Sequence, residues 1–208
     1  MSNVAALFWD VGGVVLSNGW DQSARAEAAR RFSLDPVDFQ ERHKRAEEEL
    51  ETGRITLDTY LDQTIFFRER SFSREEFKSF IFAQSHENKE TRGLLDELTA
   101  SRRYFLATLN NESEELNTYR IRKFDLTRNF AAFFVSCYLR ARKPHPLIYQ
   151  LALGITQRAP QECIFIDDRP ANLEPAKALG MRTILFHSAG ELRASLWESG
   201  VRAGFVGG

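Results

Sequence analysis

Five short runs of apolar, β-branched and aromatic residues recur along this chain. They read ALFWD (6–10), YFLATL (104–109), AAFFVSCYL (131–139), CIFID (163–167) and RTILFH (182–187). Near-continuous apolarity over so few residues marks a strand covered on both faces. Segments with helical spacing separate the later runs, over 112–122, 146–153, 171–179 and 191–198. Such alternation predicts an α/β fold, a Rossmann-like parallel sheet flanked by helices.

Residues 21–100 break the rhythm and read almost entirely as helix. Asp35 precedes Pro36, an N-cap followed by the residue best tolerated at the first helical position. Thr56 caps a segment carrying Leu57, Leu61 and Ile65 at helical spacing. Ser73 and Glu76 form a capping box ahead of Phe77, Phe80 and Ile81. These helices predict an inserted helical-bundle cap over 18–99, with the α/β core formed by 1–17 and 100–208. Phe66, Phe67, Phe72, Phe77, Phe80 and Phe82 are expected in the cap's own core. The charged run 41–51 reads as the solvated face of a cap helix, and the tail RAGFVGG reads as frayed.

Composition narrows the function classes. The 208 residues carry a net charge of −1, with no basic excess to favour nucleic acid or an anionic membrane. The two cysteines, Cys137 and Cys163, fit neither a disulfide framework nor a zinc spacing and read as buried thiols. The four histidines match no ligand spacing. No signal peptide or bilayer-spanning run is visible, so a cytoplasmic location is the expectation. Oligomeric state leaves no trace in the sequence.

Ligands of open α/β sheets bind beyond the carboxyl ends of the strands, so the polar residues there carry the chemistry. The first run ends in Asp10, followed by Val11, Gly12 and Gly13. The second is followed by Asn110 and Asn111, the third by Arg140 to Lys143, and the fourth closes on Asp167 and Asp168. Brought together, these groups suit a phosphate. Carboxylates hold Mg²⁺, an ammonium adds positive charge, and amides donate to phosphate oxygens. The glycines after Asp10 permit a close backbone approach.

FWDVGGVV, LNN, RKP and IFIDDRPAN also stand in the order and rough spacing of the four motifs of the haloacid dehalogenase-like hydrolase superfamily. The chain resembles its small-capped, phosphatase-like members, whose first motif reads aspartate, any residue, glycine. The resemblance spans nearly the whole chain. It implies Mg²⁺-dependent hydrolysis of a small phosphorylated metabolite through an aspartyl-phosphate. Asp10 would be the nucleophile and a metal ligand, and Lys143 would stabilise the phosphorylated aspartate. Asn110 and Asn111 would bind phosphate with Lys143. Asp167, Asp168 and the Gly12 carbonyl would complete the metal site.

Two departures from the family pattern matter. Gly12 stands where the family usually has a second aspartate, the general acid and base, so the proton must come from water, from a cap residue, or not at all. Asn110 stands where a Ser or Thr is usual, with Thr108 as the alternative on the same strand face. Elsewhere simpler roles are expected: Arg140 and Arg142 as surface charges, Asn172 as a metal-carboxylate orienter or a first-turn residue. Trp20 is read as core packing, with a cleft-facing role as the alternative, and His145 as a distant candidate proton carrier. Two other functions fit the same motifs, a silent phospho-ligand binder and a metal-independent dehalogenase. VGGVVLSNG lacks the spacing of a dinucleotide-binding loop.

Overall fold

The computed structural model describes residues 3–203, so most of the tail read as frayed lies outside the described residues. Five parallel strands, β1 (Ala6–Trp9), β2 (Phe105–Asn110), β3 (Ala132–Val135), β4 (Cys163–Asp167) and β5 (Arg182–Leu185), form one sheet in the order β3-β2-β1-β4-β5. Helices cover both faces. On one side Leu7, Trp9, Ile164 and Ile184 pack with Leu94, Leu95 and Leu98 of α5 (Lys89–Ser101) and Leu192 and Leu196 of α10 (Ala189–Glu198). On the other, Phe8, Ala107, Leu109 and Phe165 meet Ile148 and Tyr149 of α8 (Pro146–Thr156) and Leu173 and Ala176 of α9 (Pro170–Ala178). This two-sided burial is what the unbroken apolar runs require.

Between β1 and α5 lie four helices: α1 (Gln22–Arg31), α2 (Pro36–Glu51), α3 (Leu57–Thr64) and α4 (Arg74–Ala83). The expected caps form. Asp35 accepts from Val37 and Asp38, Thr56 from Thr59, and Ser73 from Glu76. Phe32, Phe39, Tyr60, Leu61, Ile65, Phe77 and Phe80 build a separate cluster, joined by Leu116 of α6 (Glu114–Lys123). Phe67 departs from the expected cap core. It is exposed, with the Arg42 guanidinium 3.5 Å from its ring centroid, a cation–π contact that covers a face the helices leave open. Phe82 stacks on Tyr119 of α6 at 4.7 Å.

The connections into and out of these helices are tied together. Ser17 donates to His86 and Asn88 to Val15 across the neck. Arg120, fully buried, bonds the Ser17 carbonyl and the Ser85 hydroxyl and pairs with Glu112 at 2.9 Å.

One predicted strand is corrected. The run 131–139 stays extended only to Val135, and Ser136–Leu139 form a short helix, α7. Ser136 is buried and fully engaged: it donates to the Glu51 carbonyl and accepts from the Glu112 amide. Arg140 closes the turn in a left-handed conformation. A buried helical turn is as apolar as a strand, so periodicity over so short a run cannot separate them.

Candidate active site

Register assembles the rim. Trp9 pairs with Thr108 on β2 and Ile166 on β4, so the next residue, Asp10, stands level with Leu109 and Asp167. The Lys143 ammonium bridges the two carboxylates, 2.9 Å from Asp10 Oδ1 and 2.7 Å from Asp167 Oδ2. Asp10 is 8% exposed and Lys143 3%. Asp10, Asp167 and Asp168 each place a carboxylate oxygen within 4.8 Å of the others. Residues far apart in the chain thus converge on one point.

The electrostatics of this cluster are unbalanced. Burial, then Asp167 and Asp168, push the Asp10 carboxyl well above its usual range against the pull of Lys143. Burial and Asp167 likewise raise Asp168. Burial alone would lower the Lys143 ammonium, but Asp10 and Asp167 more than offset it and hold the charge. Three carboxylates around one ammonium, with Asp168 Oδ1 buried and unbonded, form the hard oxygen donor set that suits Mg²⁺.

Neighbours fix the cluster. Asn172 donates to both oxygens of Asp167, at 3.0 and 3.1 Å, and the Arg169 amide donates to Oδ1. Asn172 thus orients a carboxylate rather than only occupying the first turn of α9. Asn111 clamps the Lys143 backbone, donating to its carbonyl at 2.9 Å and accepting from its amide at 2.8 Å. Its side-chain amide is therefore engaged in holding Lys143. Asn110 is buried with Oδ1 unbonded. Thr108 Oγ1 is also unbonded, but it lies two residues deeper in the sheet, beside Trp9.

The two glycines after Asp10 differ. Gly13 has φ +77°, and a Cβ there would lie 2.1 Å from Asp168 Oδ2. Gly13→Ala is expected to displace Asp168 and weaken divalent-ion binding at least tenfold, the scale of losses near metal sites, measurable by calorimetry.

A cleft of about 470 Å³ opens above this cluster. Trp20, Arg25, His43, Glu47 and Glu51 line it from the segment between β1 and α5, and Glu112, Arg142 and Arg169 from the loops that follow the strands. Two expectations change here. Arg142 is no free surface charge, since it pairs with Glu51 at 2.8 Å and sits 4.0 Å from Glu47. The run 41–51 is not simply solvated: His43 is buried against Tyr60, and Glu47 and Glu51 follow it at helical spacing toward the cleft. That i, i+4, i+8 spacing was the available signal. Trp20 both lines the cleft and packs, donating to Tyr60 and touching Phe39 and Phe77. His145 caps α8 on the exposed surface. Cys137 and Cys163 are buried free thiols.

This fold and strand-end cluster define a hydrolase of the haloacid dehalogenase-like type. A family model described as haloacid dehalogenase-like hydrolase matches residues 4–180, and the chain belongs to that family. It is 39% identical over 64 residues to bifunctional epoxide hydrolase 2 of Mus musculus, covering 31% of this chain and 12% of that protein. It is 37% identical over 79 residues to flavin mononucleotide hydrolase 1 of Arabidopsis thaliana, covering 38% and 32%. The matches thus span under a third of either relative's length. A HAD family enzyme of Bacteroides thetaiotaomicron superposes with a TM-score of 0.76 at 20% identity, covering 94% of this chain and 99% of that one. A second structure of that enzyme, with magnesium and inorganic phosphate, superposes at 0.71 and 21% identity, covering 90% and 96%. Identity this low establishes the shared fold.

Among the described residues, no helix is long and apolar enough to cross a membrane.

Proposed function

We propose that this protein is a Mg²⁺-dependent phosphatase acting on a small, hydrophilic phosphomonoester through an aspartyl-phosphate on Asp10. The observation that carries this reading is the Lys143 ammonium, held between Asp10 and Asp167 within a three-carboxylate cluster at the cleft floor. The magnesium and phosphate bound by the structurally similar Bacteroides enzyme support it.

Asp10, Asp167, Asp168 and the Gly12 carbonyl would hold the ion. When bound, it neutralises and orients the anionic phosphate. Asp10 then attacks phosphorus. Lys143, already in contact with Asp10 Oδ1, stabilises charge on the transferring group, and the Asn110 amide donates to a phosphate oxygen. Asn111 keeps Lys143 in register through its backbone. The charged and hydrogen-bonding side chains of the cleft wall suit a polar substrate over a lipid one.

The test is phosphate release from a panel of phosphorylated metabolites and p-nitrophenyl phosphate, with Mg²⁺ and with EDTA. Release that requires the metal is the expected result. Binding of phosphate analogues without turnover would favour a silent binder. Halide release from a haloacid in EDTA would favour a dehalogenase. Either result would overturn the reading.

A further inference from the structure

We propose that Glu51, on the last turn of α2, is the general acid and base that position 12 lacks. The inference rests on the phosphatase reading and assigns its missing proton carrier.

Gly12 is not a glycine by steric need. The three atoms nearest a Cβ there all belong to Asn18, at 3.4 to 3.6 Å, which is ordinary contact. The acid is therefore absent from a position where a Cβ would meet no clash. Expelling a poor leaving group still needs a proton at the ester oxygen.

Four further carboxylates line the cleft: Asp21, Glu47, Glu51 and Glu112. Asp21 accepts from the Ala24 amide as the N-cap of α1. Burial raises Glu112 as well, but both its carboxylate oxygens are engaged, Oε2 by Arg120 at 2.9 Å and Oε1 by the Ser113 amide at 3.2 Å. Glu47 stands 3.4 Å from His43, whose proximity holds it below the usual carboxylate range. Glu51 differs. Burial pushes it up to about 7, with Glu47 and Glu112 adding to the rise and Arg142 and Arg169 opposing it. A group so poised can give and take a proton near neutrality.

The backbone that carries Glu51 is tied to the sheet side of the cleft. The Glu51 carbonyl accepts from Ser136 Oγ at 2.6 Å, and the Thr52 carbonyl accepts from Arg140 at 2.9 Å. Ser136 follows directly on β3, the neighbour of the strand that ends at Asn110, and Arg140 closes the short helix after it. The Glu51 carboxyl meets Arg142, the residue before Lys143, at 2.8 Å. This end of α2 is thus fastened to the rim where chemistry occurs, rather than riding free on the cap.

In the first step the Asp10 oxygen forms its bond to phosphorus as the ester P–O bond breaks. The Glu51 carboxyl proton passes to the departing alkoxide. In the second step the Glu51 carboxylate takes a proton from water. The water oxygen bonds phosphorus, the Asp10–phosphorus bond breaks, and inorganic phosphate leaves with both side chains restored.

The test compares Glu51→Gln with wild type on two substrates with Mg²⁺. On an alkyl phosphate, kcat should fall by a factor on the order of 10² to 10⁴. On p-nitrophenyl phosphate, whose leaving group needs no proton, the variant should release a stoichiometric burst of nitrophenol. Acid quenching should then trap phosphorus on Asp10, because the second step has lost its base. The wild-type fall in alkyl phosphate turnover as pH rises through the Glu51 range should vanish. Gly12→Asp added to Glu51→Gln should restore alkyl phosphate turnover, which also excludes a folding defect. Undiminished alkyl phosphate turnover in Glu51→Gln, loss on both substrates without a burst, or no rescue by Gly12→Asp would each overturn the proposal. Absence of any wild-type turnover of p-nitrophenyl phosphate would instead remove the phosphatase reading beneath it.

Discussion

Asp10→Asn is expected to abolish turnover while leaving the protein folded and, without metal, more stable than wild type. The amide nearly matches the carboxylate in shape but cannot attack phosphorus. Loss of a nucleophile typically lowers kcat by on the order of 10⁴ or more. The stability gain has a separate origin. Burial and two neighbouring carboxylates raise the folded-state pKa of Asp10 above its unfolded value. Ionising it therefore favours the unfolded chain, by an amount that grows as pH rises from the unfolded pKa to the folded one. Asparagine removes that penalty. The excess in Tm should be greatest at mildly alkaline pH and should shrink as pH falls toward the unfolded carboxylate range. Added Mg²⁺ should stabilise wild type more than the variant. Residual activity above a trace, or a lower melting temperature at every pH, would contradict the assignment.

Lys143→Met should produce the largest loss of stability of any single change at the site. Methionine replaces the aliphatic stem but leaves Asp10, Asp167 and Asp168 together without their ammonium. Removing one partner of a buried ion pair costs about 3–5 kcal/mol. The remaining carboxylates would then take up protons more readily in the folded state than in the unfolded one. The deficit should therefore be largest above neutral pH and should lessen as the solution is acidified. Mg²⁺, which binds the folded state, should recover part of it. Urea unfolding at two pH values, with and without the ion, measures this directly. A deficit indifferent to both pH and Mg²⁺ would mean that lost packing dominates. Turnover should fall with stability in this variant, whereas Asp10→Asn separates the two.

Much of this molecule is legible in its sequence, because local chemistry reports local environment. Four of the five strand runs form strands over nearly the residues read, since strands covered on both faces call for such continuous apolarity. The positions of Asp10, Asn110 and Asp167 at or just beyond strand ends follow from the same pattern, with Lys143 in the loop after α7. A parallel sheet then has little choice but to gather them on one rim. Asp35, Thr56 and Ser73 start their helices because a side-chain oxygen satisfies amides that have no other partner.

Other features belong to the tertiary structure. Residues 136–139 are as apolar as a strand, yet they form a helical turn whose Ser136 donates to the Glu51 carbonyl and accepts from the Glu112 amide. Asn111 resembles a ligand-binding amide until Lys143 is seen to occupy it. Glu47, Glu51 and Arg142 look like solvated charges in one dimension, yet two distant segments fold them against each other over the cleft. The physical reason is common to all three. Periodicity records that a face is covered or wet, whereas the identity of the group across from it depends on contacts between residues far apart in the chain.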